Sequence, residues 1–135
     1  MDPMSERLPV LVVEDEELLL AFLKTALERG GVKSIGAASG EAAIKLLEAQ
    51  QFAGVVCDLK LPGAIGGAEI FDWVQQNRPG LAPRFLFITG NVSDPYALEV
   101  RARTGALFIE KPFRIALLIE LINTITAGSE QLHAG

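Results

Sequence analysis

Cysteine and histidine are almost missing from this chain of 135 residues, which holds one of each, Cys57 and His133. A lone cysteine forms no internal disulfide, and the two together supply no zinc cluster, so a disulfide-stapled or zinc-built domain is excluded. A reducing compartment fits best. Positive charge is also scarce: 12 Lys and Arg face 17 Asp and Glu, leaving a formal charge of −5. Without a cationic face to track phosphates, direct nucleic-acid binding is not expected. No run nears the ~18 consecutive apolar residues that span a bilayer, and no basic segment precedes an apolar one at the N-terminus. Membrane insertion and secretion are therefore not expected, and a cytoplasmic location is. Linkers rich in Pro or Ser, repeats and low-complexity tracts are missing too, which leaves no place for a second domain.

What is present is one domain's worth of apolar sequence, half of the residues being hydrophobic. The expected division is a flexible N-terminus over 1–7, a domain over 8–127 and a flexible tail over 128–135. Five short runs rich in Val, Ile, Leu and Phe suit strands: Val10 to Val13, Val32 to Ala37, Ala53 to Cys57, Phe85 to Ile88 and Ala106 to Ile109. Most lack alternation of apolar and polar residues, as parallel strands covered on both faces do.

Helical spacing fills the gaps. Leu19, Phe22, Leu23 and Ala26 share a face of a helix between Glu16 and Arg29, stopped by Gly30 and Gly31. Ser39 caps a helix carrying Ala43, Ile44 and Leu47, and Ile70, Phe71 and Val74 mark a third that ends before Pro79. Ile65 is unable to cap that third helix, so Gly66 or Gly67 must. Asp94-Pro95 opens a fourth helix, closed by Gly105, and a fifth follows Pro112 to about Ala127. The pattern predicts an α/β fold, (βα)5, a doubly wound parallel five-stranded sheet, for which fold analogy gives the flavodoxin-like order 2-1-3-4-5.

In such sheets ligands bind beyond the carboxyl ends of the strands. Those ends carry Glu14 and Asp15 after the first strand, Asp58 after the third, Thr89 after the fourth and Lys111 after the fifth. Three converging carboxylates repel one another, so a hard divalent cation, Mg²⁺, is expected among them, with Lys111 as a second positive charge. A metal held by few protein oxygens keeps a position open for a phosphoryl oxygen, which is the chemistry of phosphoryl transfer. Asp58 would be the nucleophile, Lys111 and the metal would neutralise the equatorial oxygens, and Thr89 would bond the phosphoryl group. Cys57 points to the opposite strand face from Asp58 and is expected in the core.

The runs VVEDEE, VVCDLKLPG, FLFITGN and FIEKPF, in that order at successive strand ends, resemble the receiver domain of two-component response regulators, of the chemotaxis-regulator type, over Leu8 to Ala127. The resemblance implies that Asp58 accepts a phosphoryl group from a phosphohistidine on a histidine kinase or histidine phosphotransfer protein. It further implies that Asp15 binds Mg²⁺ directly, Glu14 acts through water, the Lys60 backbone carbonyl completes the protein ligands, and Lys111 pairs with the phosphoryl oxygens. Thr89 and Phe108 would form the switch, and Lys111-Pro112 would be a cis peptide. His133 lies in the tail, so the chain is expected to receive phosphate and not originate it.

Four departures from the family pattern stand out. Phe108 replaces a frequent Tyr and removes a phenolic hydroxyl from the switch, Gly90 follows Thr89 where Ala is common, and Ile65 replaces a short polar residue. Lys60 puts a cation at the mouth of the site, where it would either attract phosphodonor or alter the access of water.

Two surfaces invite partners. Leu117 and Leu121 lie away from the core stripe of Ile115, Leu118, Ile119, Ile122 and Ile125, suggesting a docking or dimer surface on helices 4 and 5. Leu18 and Leu20 are hard to bury together, and the first helix is where kinase bundles meet receivers in the family. A downstream protein is the expected target, because a chain of this length has no room for an output domain. The setting is either a free single-domain regulator or the receiver segment of a hybrid kinase. Two alternatives stand beside this reading: a flavodoxin-like metal-dependent phosphohydrolase of small molecules, and a receiver-like scaffold independent of phosphorylation.

Overall fold

The computed structural model describes the backbone of residues 7–134 and the side chains of 7–127. Five strands, β1 (Val10–Val13), β2 (Ser34–Ala37), β3 (Gly54–Asp58), β4 (Phe85–Thr89) and β5 (Leu107–Glu110), alternate with five helices. The helices are α1 (Glu17–Arg29), α2 (Gly40–Ala49), α3 (Gly67–Asn77), α4 (Pro95–Thr104) and α5 (Ile115–Ala134), with a 3-10 turn at Ala82–Arg84. The sheet is parallel throughout, as the apolar runs predicted, and its order β2-β1-β3-β4-β5 is the one expected by analogy with doubly wound folds.

Alternate strand residues feed two cores. Leu11, Val13, Val55, Cys57, Phe85 and Phe87 pack under α2, α3 and α4 with Leu47, Ile70, Phe71 and Val100. Val10, Val12, Val56, Leu86, Ile88 and Ile109 pack under α1 and α5 with Leu23, Leu27, Leu118 and Ile122. Burial of these side chains, about 1.5–3 kcal/mol each, is the main force that holds the helices on the sheet.

Helix ends follow local chemistry. Ser39 Oγ accepts from the Ala42 amide, and Asp94 Oδ2 accepts from the Tyr96 and Ala97 amides. Gly66 is the N-cap of α3, and its amide donates to Glu69 Oε1 at 2.9 Å. At the end of α1, Gly31 adopts φ +84°, with bonds from Val32 N to Leu27 O and Gly31 N to Glu28 O. That is a Schellman closure, and it spends Val32 on the helix end, so β2 begins at Ser34 and not at Val32.

Several expectations on helix faces are corrected. The buried stripe of α1 is Leu23 and Leu27, four residues apart, with Leu19 and Leu20 beside it, and Phe22 turns to solvent at 56% exposure. Leu20, expected outside, lies over Gly36, where an added Cβ would stand 3.1 Å from Leu20 Cδ1. On α5, Leu121 packs against the second core because it lies three residues from Leu118 and four from Ile125. Leu117, one residue before Leu118 and so about 100° around the helix, is exposed. The helical backbone of α5 continues to Ala134 instead of ending near Ala127, since a single Gly128 costs a helix only about 1 kcal/mol. Of the expected N-terminal tail, residues 1–6 lie outside the described residues.

Candidate functional site at the carboxyl edge

Each strand that crosses the middle of the sheet ends on a polar residue that shares its burial. Glu14 follows β1, Asp58 ends β3 and Thr89 ends β4, all buried, while Asp15 is exposed beside them. The site has a close-packed floor. An added Cβ on Gly67 would stand 2.7 Å from the Asp58 carbonyl oxygen, so a side chain there would push α3 away from the end of β3.

Asp58 is held from two sides. Its Oδ1 accepts from the Lys60 amide at 3.0 Å, and its Oδ2 accepts from Lys111 Nζ at 2.9 Å. Lys111 reaches across from the end of β5, with its own amide bonded to the Thr89 carbonyl at 2.8 Å, and Glu14 Oε2 lies 3.6 Å from its ammonium. The Lys111-Pro112 peptide is cis. Burial pulls the Lys111 ammonium down, but its hydrogen bond to Asp58 and the charges of Asp58 and Glu14 push it above its ordinary value.

Glu14, Asp15 and Asp58 bring carboxylate oxygens within 4.8 Å of one another. Burial raises the Glu14 carboxyl from 4.5 to about 7, with Asp58 adding to the rise and the Glu16 amide and Lys111 opposing it. Glu14 Oε2 is buried without a hydrogen-bond partner. A buried acceptor of this kind, aimed among carboxylates, fits a hard cation bound through oxygen.

Thr89, at the end of the strand next to β3, and Phe108, two strands away from β3, are both engaged elsewhere. Thr89 Oγ1 accepts from the Asn91 amide at 3.3 Å and donates to the Asn91 carbonyl at 3.4 Å, so the hydroxyl is turned into the β4–α4 loop. The Phe108 ring is half-buried and stacks at 5.1 Å on Phe87, which lies opposite it in the β4–β5 register. Cys57 is buried in the first core.

Two interactions were not anticipated from sequence. Glu110 Oε2 accepts from the Val92 amide at 2.8 Å and ties the β4–α4 loop to β5. Lys60 Nζ lies 3.7 Å from Asp94 Oδ2, joining the loop after Asp58 to the start of α4. Asp94 was legible as a helix cap, but its second partner depends on two loops meeting in space, for which the local sequence carries no signal.

A parallel (βα)5 sheet thus carries three acids, a threonine and a lysine at its carboxyl edge, and the comparisons give the family in which that arrangement stands. The family model of the response regulator receiver domain matches residues 10–123, and the chain belongs to that family. The chain is 29% identical over 113 residues to the response regulator protein FleR of Pseudomonas aeruginosa, covering 84% of this chain and 23% of FleR. It is 29% identical over 128 residues to the transcriptional regulatory protein FixJ of Azorhizobium caulinodans, covering 95% of this chain and 59% of FixJ. The chain thus spans less than two thirds of these relatives' length, 23% of one and 59% of the other. Among solved structures, a CheY-like receiver domain protein from Methanospirillum hungatei superposes with a TM-score of 0.82 at 25% identity, covering 93% of this chain and 98% of that one.

Proposed function

We propose that this receiver is phosphorylated on Asp58 by a histidine kinase or a histidine phosphotransfer protein and that the modification switches a protein-interaction surface. The observation that carries the reading is the double hold on Asp58, by Lys111 Nζ at 2.9 Å and the Lys60 amide at 3.0 Å, beside two further carboxylates. Mg²⁺ bound by Asp15, Asp58 and the Lys60 carbonyl, with Glu14 acting through water, would supply charge neutralisation and a coordination position for a phosphoryl oxygen.

The chain's own groups do the rest. An Asp58 oxygen attacks phosphorus, the phosphorus–nitrogen bond of the phosphohistidine breaks, and the electron pair stays with the departing imidazole. Lys111 neutralises charge on the phosphoryl oxygens. Thr89 exchanges its Asn91 contacts for a bond to a phosphoryl oxygen, and Phe108 moves into the space this opens. Water later attacks phosphorus, the bond to the Asp58 oxygen breaks, and the carboxylate returns with release of inorganic phosphate.

Kinase docking fits α1, where Leu18 at 85% exposure stands one turn from the exposed Phe22. Leu20 and Leu121 are withdrawn from the proposed contact surfaces by their packing. A downstream protein, or a second copy of the chain, fits α4, β5 and α5 through Tyr96, Leu98, Leu107 and Leu117, all exposed. No helix among the described residues is long and apolar enough to cross a membrane, and cytoplasmic action is part of the proposal. Membership of the receiver family supports a regulatory role over the phosphohydrolase alternative.

Intact-mass measurement with acetyl phosphate tests the reading. One phosphoryl group is expected on the wild type with Mg²⁺, and none on Asp58→Asn or after chelation. If neither acetyl phosphate nor candidate kinases add mass to the wild type, the scaffold alternative takes its place.

A further inference from the structure

The peptide that joins Asn91 to Val92 in the β4–α4 loop is gripped at both ends. Its carbonyl accepts from Thr89 Oγ1 at 3.4 Å, and its amide, that of Val92, donates to Glu110 Oε2 at 2.8 Å. The two grips are unequal. A bond of 2.8 Å to a carboxylate has the length of a charge-assisted hydrogen bond. The 3.4 Å bond is long for a hydroxyl donor, whose bonds cluster near ~2.7–2.8 Å. Because a peptide group is planar, the stronger bond sets the direction of the whole unit and the weaker one follows it. Glu110 also pairs with Thr89 in the β4–β5 register, and strand alternation puts it on the same face as Phe108. Phe108 has no hydroxyl to offer the loop, and on that face the carboxylate of Glu110 makes the polar tie.

We propose that Glu110 is a positioning residue for Thr89. The inference rests on the reading of Asp58 as phosphoacceptor and of Thr89 as its switch. In the unmodified protein the carboxylate fixes the peptide between Asn91 and Val92 with its carbonyl turned to Thr89, which keeps the hydroxyl engaged in the loop. A phosphoryl group on Asp58 brings three acceptor oxygens and roughly two negative charges. These draw the Thr89 hydroxyl more strongly than one neutral carbonyl does. When the hydroxyl leaves, the peptide loses one of its grips and turns, and the Val92 amide comes off Glu110. The loop is then free to move away from the face on which Phe108 lies. The link also runs in reverse. Weakening the Glu110 bond lets the peptide turn before modification, so a larger share of the unmodified protein has Thr89 free to meet the phosphoryl group. Glu110 thus opposes phosphorylation of Asp58 without touching the phosphoryl group.

Two readouts test this. Hydrogen exchange of the Val92 amide, followed by NMR, should quicken by about tenfold in Glu110→Ala. It should quicken by less in Glu110→Gln, which keeps a neutral acceptor at the same reach. The wild type kept phosphorylated by excess acetyl phosphate should show the same quickening at Val92. The rate at which acetyl phosphate labels the protein, read by intact mass, should rise by about threefold to tenfold in Glu110→Ala, with Glu110→Gln between it and the wild type. In a Thr89→Ala background, which leaves Asp58 and Lys111 in place, Glu110→Ala is expected to have no effect on that rate. General loosening of the loop would not produce that dependence on Thr89. Slower or unchanged labelling in Glu110→Ala, equal acceleration in both backgrounds, or a Val92 amide as protected after phosphorylation as before overturns the role of Glu110 alone. Failure of the wild type to gain a phosphoryl group overturns the Asp58 reading and this proposal with it.

Discussion

The interior of the sheet and its carboxyl edge are made of consecutive residues under opposite rules. Val13, Cys57 and Ile88 are apolar and buried, and the next residues, Glu14, Asp58 and Thr89, are polar and also buried. One step along the strand changes packing that stabilises the fold into an electrostatic arrangement that costs stability. The interior is satisfied by its neighbours. The edge is not: Glu14 carries a carboxyl oxygen without a hydrogen-bond partner and a pKa raised by burial and by Asp58. A site of this kind is poised to bind charge because the fold leaves it short of compensation.

The sharpest way to break the contrast is one substitution on each side of it. Phe87 is buried and touches Phe71, Phe85 and Phe108 with ring centroids 6.3, 4.8 and 5.1 Å away. Phe87→Ala is expected to cost about 3–5 kcal/mol in urea unfolding. Asp58→Asn is expected to cost far less by the same measurement, because it also relieves repulsion of Glu14, while abolishing phosphorylation. Equal losses of stability would mean that the edge is as structural as the interior.

The raised Glu14 carboxyl predicts a pH dependence of definite sign. The folded protein holds this proton up to about 7, whereas the unfolded chain releases it near 4.5. Glu14 therefore destabilises the metal-free protein above about pH 7, and the penalty is relieved as pH falls from 7 towards 4.5. Thermal unfolding in chelator should show this trend in the wild type and lose it in Glu14→Gln. Stabilisation by added Mg²⁺ should be larger at pH 8 than at pH 6, where proton and metal compete for Glu14.

Much of this was legible in advance because it is local. Apolar runs without alternation gave buried parallel strands, and Ser39, Asp94 and Gly105 marked helix ends by the chemistry of a cap. The acids, Thr89 and Lys111 followed from lying one or two residues past an apolar run. What sequence left obscure was which flank of an amphipathic helix a leucine would occupy. Leu20 and Leu121 were expected in solvent, and Phe22 in the core, because all three lie near the boundary of a stripe, where a few tens of degrees of rotation decide. Space over Gly36 settled Leu20, a tertiary fact that spacing along α1 does not contain.

Smaller effects sharpen the same comparison on the helices. Leu18→Lys lies on exposed surface and is expected to leave unfolding and acetyl phosphate labelling unchanged while slowing transfer from a kinase. Leu20→Lys should lower Tm, since it packs on the second core. Asp94→Ala removes a cap and is expected to cost about 1 kcal/mol, read by urea unfolding.

The central claim is that the carboxyl edge makes Asp58, and not its acidic neighbours, the nucleophile. Phosphorylate the wild-type protein with acetyl phosphate and Mg²⁺, reduce the acyl phosphate with borohydride, and map the product by peptide mass spectrometry. Conversion to homoserine at position 58 alone is the predicted result. Reduction at Glu14 or Asp15, or a phosphoryl group that survives in Asp58→Asn, would contradict the account.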